Sequence, residues 1–368
     1  MNRTLLVVLA AVLTAAGAPA QERVRPEPAS ASAPKAVSTE PLVHEIELNA
    51  PVEKVWDVFA TPEGWKLWGV AKVEVDFRVG GTVKTHYSPQ GVIGDEGTIH
   101  NQIIAFEPMR MVAFRIAQPP KGFPFPNSWQ STWTVATMTD LGAGRTKLRL
   151  AGCGYTADEE SQRMRAFFEQ GNAWSLNKMK QNLEKSLGAE GHEPQGPAAS
   201  TRAPTGALDP IVVETTVRAI PADVWECWTT SRGMRSFLAE AKIDLRIGGP
   251  FEVYFGGPDV PPGQRGSEGC TILSYEPGRM ISFSWNAPPQ LAHARAQRTW
   301  VVVSIDPHGP HASKVTLKHY GFAEKAAEFP GHAQEWKDTR AYFMNAWPRV
   351  LEKLKHRFEP TDKVMNGG

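Results

Sequence analysis

The side chain best placed to do chemistry in this sequence is His319. Val315, Leu317 and His319 recur at spacing two, so in a strand all three point to one face, and that face is apolar. An imidazole there could complete a buried hydrogen-bond pair, orient a ligand, or act as an acid–base group; spacing leaves the three open. The cysteines are Cys153, Cys227 and Cys270. They read as small buried hydrophobes, with a Cys227–Cys270 disulfide as the alternative. Twelve tryptophans either fill cores or line an aromatic pocket. The pairs Asp76/Arg78 and Asp244/Arg246 read as cross-strand surface ion pairs with no functional role. His-Glu-x-x-His, Gly-x-Ser-x-Gly, Cys-x-x-Cys and a phosphate-cradling glycine loop are all missing from the sequence. Hydrolytic, redox and nucleotide-dependent chemistry therefore lack their usual signs, and no metal or cofactor is expected.

These residues sit in a sequence that repeats itself. Glu45 and Trp56 are answered by Glu214 and Trp225 at an offset of 169. Asp76-Phe77-Arg78-Val79-Gly80-Gly81 is answered by Asp244-Leu245-Arg246-Ile247-Gly248-Gly249 at 168. Phe106-Glu107-Pro108 matches Tyr275-Glu276-Pro277, Thr132-Trp133 matches Thr299-Trp300, and Gly154-Tyr155 matches Gly321-Phe322. A period this long means two copies of a whole domain rather than a solenoid. At the offset of 167 that relates Gly154 to Gly321, the first copy has Gly152 where the second has His319. Any chemistry needing the imidazole belongs to one copy.

Within each copy the hydrophobic period names the elements. A strand comes first (Leu42–Leu48; Ile211–Val217). An amphipathic helix follows, with Val55, Trp56 and Phe59 or Val224, Trp225 and Trp228 on one face. A second short helix carries Trp65 and Trp68, matched by Met234 and Phe237. Alternation at Val73, Val75, Phe77 and Val79, and at Ile243, Leu245 and Ile247, predicts strands of an antiparallel sheet covered on one face. More strands are predicted near 111–116, 129–137 and 146–152, and near 281–285, 300–305 and 315–320. Each copy closes with its longest helix, about 159–187 and 339–358. The expected class is α+β. A one-faced sheet and one long amphipathic helix are stable together when the sheet curls around the helix.

Met1 to Ala20 has the form of a secretory leader: Arg3, an apolar stretch from Leu5 to Ala16, and the small-x-small site Ala18-Pro19-Ala20. Cleavage near Ala20 and a periplasmic or secreted location are expected. The apolar stretch is too short to suit a stable membrane span. The predicted order is leader 1–20, Pro/Ala/Ser-rich disordered linker 21–40, first domain 41–187, linker 188–208, second domain 209–359 and loose tail 360–368. With 40 Lys+Arg against 39 Asp+Glu, no basic stripe is available for nucleic acid or anionic membrane.

The Pro-x-x-x-Val-Trp helix, the Asp-x-Arg-x-Gly-Gly turn, the Glu-Pro that follows and Leu317-Lys318-His319-Tyr320-Gly321-Phe322 resemble START-like helix-grip (SRPBCC) domains. More narrowly, they resemble the branch named for the activator of the heat-shock-90 chaperone ATPase, within the polyketide cyclase and lipid-transport superfamily. The resemblance covers residues 42–187 and 211–358 and is closer in the second copy. The first copy has Leu150-Ala151-Gly152-Cys153-Gly154 in place of the His-containing stretch, and a Pro-rich loop from Pro119 to Pro126. The resemblance implies a pocket between sheet and helix with Trp65 and Trp68 at its mouth. Met234 and Phe237 are their equivalents, and Trp133, Trp300 and His319 complete the candidate lining. The leading expectation is binding of a hydrophobic small molecule or lipid without a defined reaction. The alternatives are a cyclase- or isomerase-like enzyme using His319, and a protein-interaction module. A cytoplasmic chaperone partner conflicts with the leader.

Overall fold

A computed structural model describes residues 37–189 and 208–359, so the expected leader, most of both linkers and the tail lie outside the described residues. The chain divides into two compact units, at Ala198/Ala199. Among the described residues no helix is long and apolar enough to cross a membrane.

The first unit begins with β1 (Leu42–Leu48), α1 (Val52–Ala60) and α2 (Pro62–Lys66). The strands β2 (Lys72–Val75), β3 (Thr82–His86), β4 (Ile99–Glu107), β5 (Met111–Gln118), β6 (Trp133–Gly142) and β7 (Arg145–Cys153) follow, and α3 (Glu159–Ala189) closes it. All seven strands form one antiparallel sheet in the order β1-β7-β6-β5-β4-β3-β2. Two register shifts in β4, at His100/Asn101 and Ile103/Ala105, bend the sheet as bulges do. They also spoil period-two alternation, which is why β4 is illegible in the sequence. Glu45 is a solvent-face residue of β1 that meets Lys147 at 2.7 Å and Arg149 at 3.4 Å on β7.

The second unit repeats the plan: β8 (Ile211–Val217), α4 (Pro221–Thr229), α5 (Ser231–Phe237), β9 (Glu240–Ile243), β10 (Phe251–Tyr254), β11 (Ile272–Glu276) and β12 (Met280–Trp285). Then come α6 (Ala292–Ala296), β13 (Thr299–Pro307), β14 (Ser313–Tyr320), α7 (Phe322–Glu328) and α8 (Ala333–Arg357). Five strands form a sheet in the order β11-β12-β13-β14-β8, and β9 and β10 form a separate ribbon. The ribbon joins the sheet through the Gly-Gly loop, where Gly248 N–H donates to Ile272 O and Ile272 N–H to Gly249 O, both at 2.8 Å. The core gathers Val301, Val303, Ile305, Val315 and Leu317 from the sheet against Trp336, Phe343, Trp347, Leu351 and Leu354 of α8. The helix faces the sheet with residues three, four or seven apart, the spacing of one helical face.

A threonine repeats where two helices meet. Thr61 Oγ1 accepts from Gly64 N–H at 3.0 Å and donates to Asp57 O at 2.9 Å; Thr230 does the same with Gly233 and Glu226 at 2.8 and 3.1 Å. One hydroxyl thus caps α2 or α5 and ends the helix before it.

Several expectations need correction. Strands β2 and β9 stop at Val75 and Ile243, so Asp76/Arg78 and Asp244/Arg246 lie in the loops beyond. Each forms a pair two residues apart on one chain segment, not a cross-strand pair (Arg78 Nε to Asp76 Oδ1 is 3.0 Å). The loop turns at Gly80 and Gly248, whose φ of +83° and +76° an L side chain resists. The first domain's contacts reach ahead of residue 41: the Ser38 backbone bonds the Gln162 side chain in both directions at 3.0 and 3.1 Å. Helix α3 continues to Ala189, and α8 starts at Ala333, six residues before the predicted start. All three cysteines are free and buried, so Cys227 and Cys270 form no disulfide.

Candidate functional site

In the second unit a cleft of about 430 Å³ opens between α8 and the ends of β10 and β12. Its walls include Trp285 from β12, Phe343 and Trp347 from α8, and Phe255 and Val260 from the loop after β10. Trp285 and Trp347 meet at 5.2 Å between ring centres, and Phe343 stacks on Trp347 at 5.6 Å. Phe255 and Tyr342 stand at the mouth about half exposed (54% and 45%), while Trp285, Phe343 and Trp347 behind them are buried. This size and composition suit a small-molecule site.

The rim is held by charge. The Arg295 guanidinium donates to Gly263 O at 2.6 Å, Gly266 O at 2.8 Å and Ala287 O at 2.6 Å. Its ion-pair partner Glu268, at 3.6 Å, accepts the N–H groups of Gly263 and Arg265 at 2.8 and 2.7 Å. The loop 255–269 is thereby tied to the exit of β12. Burial lowers the Arg295 pKa, with Glu268 acting in the opposite direction.

His319 lies behind this cleft and does not line it. It is fully buried. Trp347 Nε1–H donates to its Nδ1 at 2.9 Å, while its Nε2 stands 2.7 Å from Thr299 Oγ1. An indole N–H only donates, so Nδ1 is the acceptor, and the proton of the neutral ring sits on Nε2 and is given to Thr299. Thr299 in turn donates to Trp285 O at 3.1 Å. Burial pushes the His319 pKa down to about 3. The imidazole is thus a neutral brace linking β14, β13, β12 and α8, and it orients one cleft tryptophan directly.

The other predicted lining residues are also placed elsewhere. Trp65 and Trp68 are core, not mouth: their indole N–H groups donate to Phe59 O at 2.8 Å and Val58 O at 3.3 Å, and both rings pack on Phe59. Burial over the end of α1 satisfies them completely. Met234 and Phe237 are core residues of α5, with Phe237 against Trp228; the next residue, Leu238, reaches the cleft. Trp300 alternates with the inward-facing Val301 and Val303, so its side chain stacks on Tyr320 across the opposite face of the sheet. Trp133 borders a space of only about 40 Å³ beside Tyr155 and Phe168, room for little more than water. Nearby, Phe123 and Phe125 of the Pro-rich loop turn inward and pack with Tyr155, Met164 and Phe168. The matching connection in the second unit, after Trp285, lines the open cleft instead.

Sequence reasoning missed Phe255, Phe343, Trp347 and the cationic rim. Phe343, Trp347 and Val350 recur at spacings of four and three within the predicted closing helix, a signal that could have found that wall, but the facing wall comes from loops without period. Among the described residues no group of three or more His, Cys, Asp or Glu is placed to hold a metal ion.

The model of the family described as Activator of Hsp90 ATPase homolog 1-like protein matches residues 49–184 and again 218–359. The chain belongs to this family, in tandem. No curated protein matches the sequence. Among solved structures, the chain is similar to the di-domain ARO/CYC BexL from the BE-7585A biosynthetic pathway, with 12% identity over 87% of this chain and 98% of that one and a TM-score of 0.31. It is similar to DynU16 from the dynemicin biosynthetic locus at 15% identity, covering 87% and 99%, with a TM-score of 0.29. It is also similar to the Aha1 dimer from Colwellia psychrerythraea at 19% identity, covering 39% and 96%, with a TM-score of 0.30. Two family domains in one chain account for the internal repeat.

Proposed function

We propose that the protein is an exported binder of an apolar or amphipathic small molecule, held in the cleft of its second domain. The observation that carries this reading is the open aromatic cleft of about 430 Å³ between α8 and the sheet. A pocket lined by Phe255, Trp285, Phe343 and Trp347 gains binding energy from the area it removes from water, roughly 25 cal/mol per Å² before the costs of association. No carboxylate or imidazole is among the cleft-lining residues, and the buried His319 cannot exchange protons with a ligand there. This favours carriage over acid–base conversion. The leader-like sequence of residues 1–20 is the basis for placing the function outside the cytoplasm.

The test is native mass spectrometry of the gently purified protein, with organic extraction, beside uptake of a naphthylamine probe by the wild type and by Ala346→Trp. Ala346 lines the cleft and is partly exposed, so a bulky ring there fills the space without opening the core. A bound small molecule in the wild type and lost probe uptake in the variant are expected. Equal uptake by both proteins would place binding elsewhere, and no uptake by either would end the proposal. Fractionation of expressing cells tests export separately: the mature chain should lack residues 1–20.

A further inference from the structure

Four cations line the cleft, and two of them have no structural employment. Arg295 is committed to backbone carbonyls and Glu268, and Arg265 donates to Val260 O at 2.8 Å and Pro258 O at 3.2 Å. Arg349 and Lys353 differ: both line the cleft and are exposed, and neither has an ion pair or hydrogen bond among the described residues. They stand four apart on α8, a spacing that puts their Cβ atoms about 5–6 Å apart, and like charges at that spacing work against the helix. No acid at helical spacing relieves them. The positions four before Arg349 and four after Lys353 are Asn345 and Arg357, while Glu352, three after Arg349, bonds His356 at 3.1 Å. Nor does the helix dipole account for them, since its pull is confined to the last turn, where Lys355, His356 and Arg357 already stand.

We infer that Arg349 and Lys353 receive the anionic head of the ligand, so that the cleft selects amphipathic anions whose apolar body lies against Trp285, Phe343 and Trp347. This rests on the cleft being a ligand site. It adds the class of ligand: one carboxylate, sulfonate or phosphate head on an aromatic or aliphatic body. A ligand anion would relieve the repulsion between the two cations at the mouth and leave the dry part of the cleft to the apolar body. The Arg349 guanidinium would donate to such a head as a planar fork and the Lys353 ammonium as a point charge.

The experiment compares two fluorescent probes that share one apolar body, 8-anilinonaphthalene-1-sulfonate and N-phenyl-1-naphthylamine, which lacks the sulfonate. Each is titrated into the full-length wild type, Arg349→Gln/Lys353→Gln and Ala346→Trp, at low and high salt. The sulfonate should bind the wild type about tenfold tighter than the neutral probe, and the double variant should erase that ratio while neutral-probe affinity changes less than twofold. Salt should shrink the ratio, because the two cations are exposed. Decanoate and naphthoate as competitors then separate an aliphatic from an aromatic body. Equal binding of both probes to wild type and double variant, with both blocked by Ala346→Trp, would sink the charge selection and leave the cleft intact as a ligand site. Failure of both probes to bind the wild type would remove the site as well. The thermal transition of the double variant, which loses only exposed groups, serves as the check that it remains folded.

Discussion

Lowering the pH should destabilise the second domain through His319, and only part of the way down the scale. Its folded pKa is pushed down to about 3 from 6.5 by burial. Between those values the unfolded chain holds a proton that the folded chain refuses. The brace therefore contributes fully above pH 6.5, and its contribution is lost as the pH falls towards 3. The loss amounts to about 1.4 kcal/mol per pH unit in that window, or roughly 2 kcal/mol at pH 5 relative to pH 7. His319→Gln supplies the control: the amide does not titrate, and its oxygen can still accept from Trp347. Urea unfolding of the full-length wild type and variant at pH 5 and pH 7 measures the difference. Hydrogen exchange of peptides from β13 and β14 assigns it to the second domain. The variant should start less stable but lose about 2 kcal/mol less on acidification. An identical pH slope in the two proteins, or an imidazole NMR titration near 6.5, would refute the assignment of a buried neutral ring.

Two further outcomes follow from burial. Trp68→Ala removes a ring that is 2% exposed and should cost the first domain about 3–5 kcal/mol, read by denaturant unfolding, while probe uptake by the second domain's cleft stays unchanged. Cys270 is fully buried and its thiol is pushed up to about 11 by desolvation; burial also raises the Cys227 thiol. Neither should react with a thiol reagent in the native protein at pH 8, and both should react in denaturant, counted by mass spectrometry.

Local pattern and tertiary contact divide the legibility of this fold between them. Strands β1 and β8 are read to the residue because Leu42 and Leu48, and Ile211 and Val217, bracket alternating exposed positions. Two separate matches of the repeat, Trp133 with Trp300 and Gly154 with Gly321, turn out to touch: Gly154 and Gly321 have φ of +84° and +103°, and a Cβ on either would meet the ring of Trp133 or Trp300 at 2.7 or 3.0 Å. Strands β3, β4, β10 and β11 escape because they are short or bulged. The site is harder still. Trp65, Trp68 and Trp300 share their residue type with Trp285 and Trp347, and composition does not tell a core indole from a pocket one.

Sequence alone determined the tandem repeat, the α+β class, the closing helices and the inward direction of His319, since all of these depend on residue period and offset along one strand or helix. Tertiary structure decided what those faces meet. His319 faces inward, as its spacing requires, but the inward space there is taken by Trp347 and Thr299. The Pro-rich loop brings Phe123 and Phe125 into the first domain's interior, whereas the second domain's matching connection leaves a cleft. The physical reason is that a cavity is space left between elements distant in sequence. It depends on how loops of irregular backbone fill volume, and no periodicity along the chain encodes that.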